Sequence, residues 1–220
     1  MRHIISYFKT SVIDRNRIEP GFYVRWRGRL AGGYGTAVQS KPMVIVVSGP
    51  PGTGKTTLAH RVAAAIGCPA ICRDEIKEGM AHATPGFVPG PGDPLTMRTL
   101  STFFDVIGLL VGRGTTVVAE AAFQDRIWTP GLTPLLSQAD VRILHCTVPA
   151  ELALARINAR TAADSNRGAH EDAQIGDDAR LRTHNAFQPV DLPVPTLTVD
   201  TSRETYEPPL PEILAFLSRD

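Results

Sequence analysis

Excess charge is what this sequence most plainly lacks. Its 220 residues carry 23 Lys and Arg against 22 Asp and Glu, a net charge of +1, so a general nucleic-acid-binding surface is not indicated. It also lacks an apolar run approaching the roughly 20 residues needed to span a bilayer. The N-terminus has basic residues but no continuous apolar stretch leading to small residues, so it does not read as a secretory signal. Cysteine is scarce. Cys68, Cys72 and Cys146 are odd in number and lie in apolar contexts, as reduced core thiols of a cytoplasmic protein do. A C-x3-C pair plus one distant Cys falls short of a metal-site pattern. No internal repeat is visible, and the length suits one α/β domain rather than a motor with a second helical domain.

Residues 1–41 stand apart from the rest of the chain. Arg2, Lys9, Arg15, Arg17, Arg25, Arg27 and Arg29 meet only Asp14 and Glu19, and the stretch ends in "AGGYG" without a sustained period of 3.6 or 2. It reads as a poorly ordered basic extension or a start site placed too early. Tyr23 and Trp26 among the arginines leave open an arm that touches nucleic acid or a partner.

The folded domain is expected over residues 42–220. "MVIVV" is a continuous apolar run, as in a central strand buried on both faces. Helical spacing comes next in "KTTLAHRVAAAIG", with Gly67 as the stop. "CPAIC" predicts a second strand, "DEIKEGMAH" a brief helix and "ATPGFVPGPGD" a loop. Asp93 and Pro94 predict the cap and first residue of a long helix. "TTVVAE" predicts a third strand and "PGLTPLLSQ" a helix of uncertain start. "VRILHCTV" is a fourth strand, "AELALARINARTAA" a helix after Pro149, and "DSNRGAHEDAQIGD" a polar, mobile segment. "PTLTVDT" and "LPEILAFLSR" close the chain as strand and helix. Strands alternating with helices imply a five-stranded parallel sheet with helices on both faces.

The loop Gly49, Pro50, Pro51, Gly52, Thr53, Gly54, Lys55, Thr56, Thr57 lies between the first strand and the first helix. That context makes Gly-x4-Gly-Lys-Thr a phosphate cradle, the Walker A pattern of nucleotide-binding P-loop folds. The glycines let backbone N–H groups point at phosphate oxygens, and the helix dipole adds to them. Lys55 is expected at the β- and γ-phosphates of ATP and Thr56 at Mg²⁺.

Ligands of an open parallel sheet sit beyond the carboxyl ends of its strands. Asp74 lies there, after the second strand, where a carboxylate can take the proton of an attacking hydroxyl. The plainer alternative is that it caps the adjoining helix. Arg73 is its neighbour, and Lys77, three residues on, is expected on the same helical face, holding an acceptor or shielding the phosphate. Glu120 ends the third strand, where it can hold Mg²⁺ through water, orient the acceptor, or serve as a solvent-facing strand-end charge. Phe123 and Trp128 come soon after, as acceptor-pocket walls or as packing under a loop. Met80, His82, Phe87, Phe103 and Phe104 would give that pocket a partly apolar lining. Arg156 and Arg160, four apart, suit a lid that closes positive charge over the moving phosphate, or a solvated basic face. Arg167 and His170 lie beyond them in the polar segment.

Walker A, then a strand, then "RDEIK" resembles the small P-loop kinases that phosphorylate hydroxyls. These include the polynucleotide 5′-kinase domain, zeta-toxin-type sugar-nucleotide kinases, chloramphenicol phosphotransferase and gluconate kinase. The resemblance covers the layout from Met43 to the C-terminus. It implies a P-loop NTPase fold of the nucleoside-kinase kind with a mobile arginine lid, Mg-ATP as donor, and Asp74 as general base. It also places Asp200–Ser202 near the adenine. In several of these kinases an Arg occupies the position of Lys77, and lysine lacks its bidentate fork.

The expected function is therefore transfer of the γ-phosphate to a hydroxyl of a small molecule such as a nucleoside, a sugar or an antibiotic. Two alternatives stay open. One is a polynucleotide 5′-kinase or a nucleotide-sugar kinase toxin, which the near-neutral charge disfavours in its nucleic-acid form. The other is a nucleotide-dependent switch or ATPase subunit. A GTPase would need an N-K-x-D reader, which the sequence lacks, and an oligomeric machine would need a further helical domain.

Overall fold

The computed structural model describes residues 41–90, 92–163 and 176–218. Apart from Lys41, the basic extension expected over residues 1–41 lies outside the described residues, as do Arg167 and His170.

The central strand β1 (Met43–Ser48) is apolar almost throughout because both of its faces are covered. Val44 and Val46 turn to one side and Ile45 and Val47 to the other, each wholly buried. The remaining strands are β2 (Ala70–Cys72), β3 (Val117–Glu120), β4 (Asp140–Thr147) and β5 (Thr196–Asp200). The sheet runs β2-β3-β1-β4-β5, and every pairing is parallel. The expected five-stranded α/β fold is the observed one.

One face carries α1 (Lys55–Ile66) and α7 (Leu210–Leu217), which press Leu58, Val62, Ile213 and Leu217 onto Ile45, Val47 and Leu144. The other face carries α3 (Pro94–Gly112) and α4 (Asp125–Leu132), which bring Phe103, Ile107, Trp128 and Leu132 onto Val44, Val46 and Val117. Full burial of such side chains is worth about 1.5–3 kcal/mol each. By length and composition α3 is apolar enough to cross a membrane, yet Leu95, Phe103, Ile107 and Val111 form its buried face, the last three of them against this core. Its start is the cap expected from sequence: Asp93 Oδ1 accepts from Thr96 N–H at 2.8 Å, with Pro94 in the first turn.

Two features depart from the sequence reading. The helix of uncertain start expected over "PGLTPLLSQ" begins at Asp125, carries Pro130 inside it and ends at Leu132, and a 3-10 turn, Thr133–Leu135, succeeds it. A further helix, α6 (Asp177–Asn185), has no buried residue. It rests on α5 (Ala150–Ala163), where Arg180 Nη1 donates to Asn158 Oδ1 at 2.6 Å.

Candidate active site

Between β1 and α1 the backbone bends as only glycine allows. Gly49 has φ +145°, and a Cβ there would lie 2.4 Å from Cys146 O; Gly52 has φ +84°, and its Cβ would lie 2.5 Å from Ala153 O. Inside the bend, Thr53 Oγ1 and Lys55 Nζ both donate to Pro50 O, at 2.9 and 2.8 Å. The lysine is therefore folded back across its own loop. It is buried. Burial lowers its pKa, and the negative charges of Glu120 and Asp74 work against that shift.

Parallel pairing places Val47 of β1 and Cys72 of β2 on either side of Glu120. Glu120 is buried, and Thr56 Oγ1 donates to its Oε2 at 3.2 Å. Burial raises the Glu120 carboxyl, while the Lys55 charge pulls it back. A hydroxyl beside a buried carboxylate offers oxygen donors alone, the set a hard cation such as Mg²⁺ takes. With the glycine cradle and the inward lysine, these residues fit a metal-bound triphosphate.

The N-cap of α2 (Arg73–His82) is Cys72, so Asp74 lies inside the first turn and not at the cap. Its carboxylate accepts from Arg73 Nη1 at 2.9 Å and is 52% exposed. Its charge reaches both Lys55 and Glu120.

Lys77 is differently placed from what its spacing suggested. Its side chain is buried, and Nζ donates to Asp93 Oδ2 and Thr96 Oγ1, each at 2.9 Å. It also lies 6.0 Å from the Phe87 ring centroid. This is an ion pair that joins α2 to the start of α3. On a helix, positions three apart differ by about 60° in direction, enough to put Asp74 in solvent and Lys77 in the seam between the helices.

Of the two readings of Phe123 and Trp128, packing is the one observed, and Phe103 and Phe104 pack with them. Phe103 and Trp128 are wholly buried. Phe123 and Phe104 are partly buried against them, with ring centroids 5.4–5.6 Å apart for Phe123–Trp128 and Phe123–Phe103. Edge-to-face packing of this kind makes the four rings a piece of the core.

On the other side of the loop lies an open cleft bordered by Gly52, Arg61, Arg156, Arg160, Thr201 and Tyr206. Arg156 Nη2 donates to Thr201 O at 2.8 Å and Ser202 O at 3.3 Å. The Arg160 charge is felt at Lys55. Thr201 Oγ1 donates to Thr53 O at 2.6 Å, so the end of β5 is tied to the loop. Arg61 stands over the Tyr206 ring, 5.4 Å from its centroid. Neither the Thr201 bond nor the pairing of Asp93 with Lys77 has a local sequence signal, because each joins residues that are distant along the chain.

A family model described as an AAA domain matches residues 44–178. Curated proteins gave no match. Several solved structures are similar. A protein given as a candidate kinase from Chloroflexus aurantiacus has 23% identity and a TM-score of 0.65, over 79% of this chain and 91% of that one. A sugar kinase from Janibacter sp. HTCC2649 has 20% identity and a TM-score of 0.53, over 80% and 94%. An APS kinase from Mycobacterium tuberculosis, solved with AMPPNP and APS, has 16% identity and a TM-score of 0.54, over 81% and 99%. At these identities the likeness is one of fold, that of small P-loop kinases.

Proposed function

The chain belongs to the AAA domain family, and on that premise we propose that it is an ATP-dependent kinase acting on a hydroxyl of a small molecule. The observation that carries this reading is the convergence of Lys55, Glu120 and Asp74 at the carboxyl ends of β1, β3 and β2. The Asp74 charge reaches the other two, while its carboxylate stays half-exposed and open to an incoming alcohol.

Each role is drawn from position. Backbone N–H groups of Gly49–Thr56 hold the phosphates of ATP. Lys55 exchanges its bond to Pro50 O for the β- and γ-phosphate oxygens. Thr56 and Glu120 would hold Mg²⁺, which when bound neutralises charge on those oxygens. Asp74 orients the acceptor hydroxyl and takes its proton as the new O–P bond forms and the bond to the β-phosphate bridge breaks, which leaves ADP. Arg73 holds the Asp74 carboxylate. Arg160, whose charge reaches Lys55, adds positive charge beside the moving phosphoryl group. Arg156 is engaged with the Thr201 and Ser202 carbonyls and keeps the nucleoside side of the cleft in shape. The protein needs no membrane partner for this chemistry.

Incubation with Mg-ATP and a panel of nucleosides, sugars and hydroxyl-bearing antibiotics tests the reading by mass spectrometry. One acceptor class should gain the mass of one phosphate with stoichiometric ADP. ADP formed at the same rate with no acceptor, and no phosphorylated product, would leave an ATPase or a switch instead.

A further inference from the structure

Behind the Thr56–Glu120 pair, three side chains from three elements converge. His60 comes from the middle of α1, Cys72 from the last position of β2 and Glu75 from the first turn of α2. Their ligand atoms all lie within 4.8 Å of one another. His60 Nε2 is 2.6 Å from Glu75 Oε1 and 3.7 Å from Cys72 Sγ. The phosphoryl-transfer chemistry uses none of these groups.

We propose that His60, Cys72 and Glu75 form a binding site for a thiophilic divalent cation of the Zn²⁺ class. The donor set is imidazole nitrogen, thiolate sulfur and carboxylate oxygen, which zinc accepts and Mg²⁺ does not. Zinc bonds of about 2.0–2.3 Å at tetrahedral angles put neighbouring nitrogen and sulfur ligands about 3.6 Å apart, close to the 3.7 Å observed between His60 and Cys72. The His60–Glu75 contact must open to about 3.4 Å by the same geometry. Both side chains are about half-exposed, so each has room to turn. The Cys72 thiol gives its proton to solvent as the sulfur–metal bond forms. Two anionic ligands and one neutral ligand then balance the dication. Glu75 lies beside Cys72 in this cluster, and Glu120 is its neighbour across the strand pairing, negative charge of the sign that draws a cation. A metal here would staple α1, β2 and α2 beside Glu120, because Cys72 is the register partner of Glu120. The site stands independently of the kinase reading.

Cobalt reports it. Co²⁺ titrated into the full, nucleotide-free chain should bind one to one, with thiolate-to-metal charge-transfer absorption and the strong visible bands of tetrahedral cobalt. Zn²⁺ should bleach both, and excess Mg²⁺ should not. Cys72→Ser should abolish the charge-transfer band. His60→Gln and Glu75→Gln should each weaken binding at least about tenfold, the lower bound for losing even an outer-shell partner. Both positions are exposed enough for the variants to fold, so they carry the test if Cys72→Ser does not fold. No charge-transfer band, a band that survives Cys72→Ser, or unchanged affinity in His60→Gln and Glu75→Gln would each overturn the proposal and leave a hydrogen-bonded link between α1 and α2.

Discussion

The Thr56 hydroxyl donates to Glu120 Oε2 at 3.2 Å and so joins the first turn of α1 to the end of β3. Two oxygen ligands that lie far apart in sequence meet where the phosphate loop opens. Glu120 and Lys55 are both buried, and the charge of each offsets part of the other's burial penalty.

Glu120→Gln keeps an oxygen for the Thr56 hydroxyl and removes the charge. Mg²⁺-dependent ATP affinity should fall by a factor on the order of 10–100, with Mg²⁺-free affinity little changed, as calorimetry would read. The pH dependence has a definite sign. Burial raises the folded-state Glu120 pKa above 4.5, so the nucleotide-free fold holds this proton more tightly than the unfolded chain does. The stability it contributes is fully present below about pH 4.5 and is lost as pH rises through the raised value. Glu120→Gln should flatten that decline in urea unfolding.

The Lys77–Asp93 pair is buried on both sides, so breaking it leaves one charge without its partner. Lys77→Met should cost about 3–5 kcal/mol in chemical unfolding, and Lys77→Met with Asp93→Leu together should cost less. Burial pushes the Asp93 carboxyl up, but hydrogen bonds from Lys77 and Thr96 outweigh it and leave the pKa below 3.8. The Asp93 contribution is therefore present above about pH 3.8 and lost as pH falls through the lowered value. Acid unfolding of Lys77→Met should begin at a higher pH than that of the wild type.

Thr201→Val removes the donor to Thr53 O, a buried contact at 2.6 Å, and keeps the side-chain shape. The unfolding free energy should drop by about 1–3 kcal/mol. Because the bond holds the phosphate loop and not the acceptor side, the Kd for ATP should rise while the KM for the acceptor stays unchanged. A change in the acceptor KM alone would contradict this placement.

The phosphate loop was legible because its glycines fall between a continuous apolar run and a helical period, and both flanks are local signals. The Asp93–Pro94 helix start was legible for the same reason. Lys77 was not, because its partner, Asp93, caps another helix and helical spacing cannot say which flank of a face is covered. Trp128 read equally well as pocket wall or as packing under a loop, and Phe103 read as pocket lining; the contact between α3 and α4 made both of them core. Helix α6 has no apolar period in "DDARLRTHN" and is held from outside, by Arg180 on Asn158 and by His184 against Val148 O at 3.1 Å. The start of the helix over "PGLTPLLSQ" was not legible; Gln124 is its N-cap, and the Asp125 carboxylate helps fix the entry by accepting from Asp191 N–H at 2.8 Å.

The most direct measurement is the single-turnover rate of phosphoryl transfer by Asp74→Asn, with the acceptor the screen identifies and ATP bound to saturation. Asparagine keeps the size of the side chain and an oxygen that can still accept from Arg73 Nη1, so ATP should bind as before. The transfer rate should fall by about 10²–10⁴ for loss of the base. Wild-type transfer in Asp74→Asn would contradict the account at its centre.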